Sequence, residues 1–232
     1  MTRGSYKGRH MRKIFAPLVV VTAIVFAMTP FVIARAPYES SMLLVQKIFY
    51  YHVPSWVAMY CALAVCAVGS IWYLFKGDRV ADRYAAASAE LVLLFGANGL
   101  ISGPMWARKA WGVWWQWDAR LTISLLLWLI FVAYLLVRKY GGPGSEKLAA
   151  AVGIFGAAVS PFLYVSVNIW RTVHPKTSVV PDILKNPVKG MATPLLMSML
   201  AFVLLFVLLL MVRVRLAERQ DALDQLYLAL ED

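Results

Sequence analysis

Six apolar runs, at about 14–34, 53–75, 84–106, 121–138, 148–169 and 190–212, dominate this chain and leave little choice of fold. A helical bilayer crossing takes about 20 apolar residues, and each run meets or approaches that length. With 61% hydrophobic and 15% charged residues over 232 positions, no single water-soluble core could bury the sequence. The ten-residue alternating segments of a membrane barrel are absent, and a spanning backbone must satisfy its own hydrogen bonds, so helices are the expected element. The expected fold class is therefore all-α. Residues 1–232 form one polytopic domain with six transmembrane helices, an interfacial tryptophan-rich helical segment at 107–120 on the outer face and a cytoplasmic tail at 213–232.

A basic head (Arg3, Lys7, Arg9, Arg12, Lys13) precedes the first run. That run is read as a retained span rather than a signal peptide, because it exceeds the usual signal core and five further spans need a first one to set orientation. With the N-terminus inside, cytoplasmic segments hold 14 of the 23 Lys and Arg residues, a modest bias in the usual direction. The outer loops still carry more basic than acidic residues, with Glu39, Asp118 and Asp182 as their acids. That face should attract an anionic ligand, although membrane lipid phosphates are expected partners for some of these cations. No nucleic-acid partner is expected.

Five tryptophans (Trp106, Trp111, Trp114, Trp115, Trp117) fall within twelve residues and run into Asp118 and Arg120. A cluster this dense offers a flat, polarisable platform with indole N–H groups for polar edges, which suits a large planar guest. Placed on a helix, Arg108, Trp111, Trp114, Trp115 and Asp118 share one side while Val113 and Trp117 point away. The competing view is an interfacial helix whose tryptophans only anchor the protein among headgroups.

Of three histidines, His10 lies in the basic head, while His52 and His174 bracket the outer surface. Pro54 is suited to open a helix, which puts His52 just before it, near a positive helix end that disfavours protonation. Two neutral imidazoles at one membrane level could clamp the iron of one porphyrin from opposite sides. Arg108, Lys109, Arg120, Arg171 and Lys176 are then the sequence candidates for its propionates. Elsewhere, Cys61 and Cys66 have neither redox-pair nor haem-attachment spacing and are taken as packing residues. Gly99 and Gly103 permit close helix contact. Pro161 should kink the fifth span, and Glu90 is an intramembrane acid in search of a partner. Residues 213–232 read as a short amphipathic helix.

Three separated signatures, YYHVPSW at 50–56, WGVWWQWDARLT at 111–122 and WRTVHP at 170–175, resemble those of the CcmC-type haem-handling proteins of cytochrome c maturation. The resemblance covers nearly the whole chain. It implies a bacterial inner-membrane protein with both termini cytoplasmic, holding haem b at the periplasmic face. His52 and His174 would be axial iron ligands, and Trp111, Trp114, Trp115, Trp117 and Asp118 would cradle the ring, making 107–120 a haem-binding loop of the WWD type. Arg108, Arg120 and Arg171 would complete the binding set. It further implies haem transfer to the chaperone CcmE, within an ABC-type complex of CcmA, CcmB and the small subunit CcmD. No nucleotide motif occurs in the chain, so any ATP hydrolysis belongs to a partner and no stand-alone enzyme is expected. Larger relatives that act as cytochrome c synthetases carry further intramembrane histidines; this sequence has none.

Two other classes compete. A membrane b-type cytochrome also uses paired histidines, but normally inside the bundle, whereas both ligand candidates here lie at helix ends. A secondary transporter would show inverted repeats and broken helices with midplane polar groups, for which Glu90, Asn98 and Pro161 are thin support. Fast exchange with quinol would favour the first, and solute uptake into liposomes by this chain alone the second.

Overall fold

Glycine, proline and aspartate interrupt the apolar runs, and the helix ends fall at those interruptions. The computed structural model describes residues 3–38, 43–185 and 190–231. Its helices are α1 (Arg3–Arg35), α2 (Phe49–Lys76), α3 (Arg79–Ala110), α4 (Ala119–Tyr140), α5 (Ser145–Ile169), α6 (Val179–Lys185) and α7 (Ala192–Glu231), with a 3-10 turn at Leu44–Ile48 before α2. Six of them, all but α6, are long and apolar enough to cross a membrane. The protein is an all-α polytopic membrane protein. Glu39 and Lys189 lie outside the described residues, as do the side chains of His10 and of the basic head up to Arg12.

Two tight turns reverse the chain. Gly77 ends α2 in the left-handed region at φ 66°, and the Asp78 carboxylate then accepts from the Val80 amide at 2.8 Å to cap α3. The 141–144 turn uses Gly142 and Gly144 at φ 71° and 85°. The longer connections α1–α2, α3–α4 and α5–α7 therefore gather at the other end of the bundle, the end that carries His52 and His174.

α2 is central and packs against α3, α5 and α7, while α4 lies on α5 and α3, and α1 on α7. The core joins Met59, Leu63 and Cys66 of α2, Val92 and Phe95 of α3, Phe131 and Tyr134 of α4, Leu163 of α5 and Phe202 of α7. Cys66 packs in this core and Cys61 lies half-buried at its edge. α5 approaches α4 because Gly156 has no side chain, since a methyl there would stand 2.6 Å from the Phe131 ring. Large apolar side chains such as Phe31, Val68, Phe75 and Ile101 point outward, as lipid-facing positions do.

Charge concentrates at the end away from the histidines. Arg138 forks onto Asp82 at 2.6 and 2.8 Å, tying α4 to α3. Arg83 reaches Asp221 of α7 at 2.6 Å, and Arg213 pairs with Glu90. The partner of Glu90 is thus a basic residue on α7. Both side chains of that pair are at least a third exposed, at 42% and 34%.

Two expectations change. Of the expected tail helix at 213–232, the described residues 213–231 form no separate helix, because no glycine or proline follows Pro194 and α7 runs unbroken from Ala192 to Glu231. At about 1.5 Å per residue it spans roughly twice a bilayer core of about 30 Å; it stays against α3 as far as Asp221, which pairs with Arg83, and its exposed residues 222–230 project beyond the bundle. Pro54 does not open α2 either. The helix begins at Phe49, prepared by the 3-10 turn, and Pro54 sits inside it at the cost of one backbone hydrogen bond.

Candidate functional site

His52 lies one turn into α2, buried at 7% exposure, where it faces α3. Its Nδ1 is 2.9 Å from the Ser102 hydroxyl, and its Nε2 accepts from the Trp56 indole N–H at 3.2 Å. Because indole is only a donor, the ring is neutral with its proton on Nδ1. The Ser102 hydroxyl passes its own proton to the Asn98 carbonyl at 2.7 Å.

His174 stands in the loop between α5 and α6, half-buried. Its Nδ1 lies 2.9 Å from the Pro175 carbonyl, which makes Nδ1–H the donor and leaves Nε2 with no hydrogen-bond partner among the described residues. The loop is held by Asp118. That carboxylate caps α4 by accepting from the Leu121 amide at 2.8 Å, and it also accepts the Thr172 hydroxyl proton. Thr172 Oγ1 in turn accepts from the His174 amide at 3.0 Å. Asp118→Ala should remove about 1 kcal/mol of capping energy and speed hydrogen exchange across residues 170–176. Unchanged exchange there would show that the Asp118–Thr172 link does not order the loop.

Burial is the main reason that the His174 pKa falls from 6.5 to about 4; the Arg120 charge adds to this, while the Pro175 carbonyl and Asp118 oppose it. The depressed value means that the fold refuses a proton which the unfolded chain accepts below about pH 6.5. Stability from this group is therefore complete above that pH and is lost as pH falls toward about 4. In nitrogen-15 NMR of the ligand-free protein, the His174 ring should stay neutral from pH 8 to 5. A midpoint near 6.5 would contradict this burial.

His52 and His174 line the same two adjoining lobes, which also share Trp56, Trp106 and Arg120. The larger lobe, about 560 Å³, lies between α2, α5, α6 and α7, with Tyr60, Tyr164 and Lys176 in its wall. The smaller, about 40 Å³, is closed by Trp111, Trp114 and Trp115. Arg120 crosses from the start of α4 to the Leu163 and Tyr164 carbonyls of α5, at 2.7 and 3.1 Å, and so pins the wall between the lobes. The Trp115 indole nitrogen and the Tyr60 hydroxyl are buried without a hydrogen-bond partner among the described residues.

The site thus unites His52, His174, Trp111, Trp114, Trp115 and Arg120. It leaves others apart. Arg108 donates to the Gly112 carbonyl, Lys109 and Arg171 are exposed outside both lobes, and Trp117, 76% exposed, packs edge-on against Trp115. Asp118 acts behind the wall as a cap and tether. The tryptophan segment is also not the helix expected from its spacing. α3 ends at Ala110, Gly112 turns the chain at φ 79°, and residues 112–118 run as bends and irregular backbone until Asp118 caps α4.

A family model described as heme exporter protein C, CcmC, matches residues 5–226. The chain belongs to the CcmC family. It is 34% identical over 195 residues to heme exporter protein C of Bradyrhizobium diazoefficiens, covering 83% of this chain and 74% of that protein. To the protein of the same name from Escherichia coli it is 30% identical over 179 residues, covering 73% and 69%. To that of Paracoccus denitrificans it is 30% identical over 187 residues, covering 78% and 76%.

In this CcmC-family chain, sequence reasoning missed Trp56, Tyr60, Ser102 and Thr172 as parts of the site. Trp56 could have been found, since it lies one helical turn after His52 and therefore shares its face. Thr172 lies inside the WRTVHP signature, two residues before His174, but its tie to Asp118, like that of Ser102 to His52, joins residues distant in sequence and had no local signal.

Proposed function

We propose that this protein holds haem b between His52 and His174 and presents it to the chaperone CcmE during cytochrome c maturation. The observation that carries this reading is the meeting of two imidazoles, from α2 and from the loop after α5, on one tryptophan-walled cavity. Among the described residues no three His, Cys, Asp or Glu side chains converge to hold a bare metal ion. Two protein ligands suit an iron whose remaining ligands come from a macrocycle.

The surroundings fit such a cargo. A lobe of about 560 Å³ falls within the range of about 300–1,000 Å³ usual for small-molecule sites. Its wall is mostly apolar, and Arg120 and Lys176 are the cations that line it, so they are assigned to the propionates in preference to Arg108, Lys109 and Arg171. The Trp115 N–H and Tyr60 O–H are donors available to a guest. In this reading the histidine end faces the periplasm of the bacterial inner membrane and both termini are cytoplasmic, in keeping with the excess of Lys and Arg on the segments assigned inside. The chain works with an ABC module of CcmA and CcmB and with CcmD, which supply ATP hydrolysis. Protein purified from a haem-replete host should show a Soret band with low-spin features. A colourless, folded protein that also fails to take up added haem would reject the proposal.

A further inference from the structure

The two histidines are poised differently. Each has its Nδ1–H held by an oxygen, from Ser102 at 2.9 Å and from Pro175 at 2.9 Å, the arrangement that orients an imidazole to bind metal through Nε2. At His174 that nitrogen has no partner among the described residues. At His52 it is taken, because the Trp56 N–H points at it from 3.2 Å. We propose that Trp56 is a latch on His52, whose indole N–H occupies the lone pair that iron would use, so that His174 ligates first and His52 only after Trp56 lets go. This rests on the haem reading above.

The latch is built into both helices. Trp56 follows His52 by one turn of α2, and the two rings meet edge-on with centroids 6.2 Å apart at 73°. On α3, Gly99 makes room for the indole, because a methyl there would stand 2.6 Å from Trp56 Cε2. One turn further, a methyl on Gly103 would stand 3.3 Å from His52 Cε1. The Gly99 and Gly103 pair, expected to bring helix backbones together, is thus a seat for two aromatic rings. Behind His52 the proton order is fixed through the Ser102 hydroxyl to the Asn98 carbonyl, so the Nε2 lone pair always faces Trp56. Trp56 also borders the lobe of about 560 Å³, which gives a released indole somewhere to go. A donor that returns to Nε2 competes with iron, which suits a protein that must give its cargo up.

The test is a set of titrations of the purified full chain with ferric haem and, separately, with iron-free protoporphyrin IX. Trp56→Phe keeps a ring in place but has no N–H. It should bind haem roughly threefold to tenfold more tightly, the change that corresponds to one neutral hydrogen bond, and protoporphyrin no differently. In a His52→Ala background the gain should vanish. No gain, an equal gain for protoporphyrin, or a gain that survives without His52 would overturn the latch while leaving the haem site standing. Folded wild type that binds neither haem nor protoporphyrin would instead overturn the haem reading itself. Should Trp56→Phe fail to fold, Gly99→Ala displaces the indole from the facing helix and should raise haem affinity likewise. Weaker binding by that variant with an unchanged melting curve would overturn the latch.

Discussion

His174→Ala protein should lose haem by a factor above about 100, beyond the 10- to 100-fold typical of losing a residue that merely supports a metal ligand. His52→Ala should lose it too, but the variants should differ in rescue. His174 lines the shared cavity and its Nε2 has no hydrogen-bond partner among the described residues, so its deletion leaves a vacancy that added imidazole can fill. His52 is 7% exposed and walled in by Trp56 and Ser102, so imidazole should restore His52→Ala far less. Haem retained through gel filtration, read at the Soret band, measures both. Full retention by both variants would reject the ligand assignment.

Asp82→Ala should be far more destabilising than truncation of either of the other paired acids, Glu90 and Asp221. Asp82 and Arg138 form a two-pronged pair at 2.6 and 2.8 Å, with side-chain exposures of 9% and 22%. Truncating the acid strands a mostly buried guanidinium, which costs about 3–5 kcal/mol in comparable pairs. By contrast, the Glu90 and Asp221 side chains are 34% and 45% exposed, so truncating either strands a less buried cation. A melting series of the three truncations in one detergent should place Asp82→Ala well below the other two. Equal shifts would mean that water reaches the Asp82–Arg138 pair.

How much of this was legible in the sequence follows from which forces act locally. Helical spans are written in composition, because a bilayer admits few other backbones, and the turns at Gly77 and 141–144 carry their own chemistry. The tryptophan segment shows the limit. Helical spacing set Trp111, Trp114 and Trp115 on one side and Trp117 away, and those three do line the cavity while Trp117 does not. They reach it through the Gly112 turn and irregular backbone, however, so Arg108 and Asp118, placed by the same spacing, do not line the cavity with them. Distant pairings such as Asp118 with Thr172, His52 with Ser102 and Glu90 with Arg213 depend on tertiary packing, which no local pattern encodes.

Paired imidazole ligation by His52 and His174 is read most directly by electron paramagnetic resonance of the protein loaded with ferric haem. The expected spectrum is low-spin and six-coordinate in the wild type, turning high-spin in each single histidine-to-alanine variant. A wild-type spectrum that is already high-spin, or a low-spin one that neither substitution alters, would contradict it.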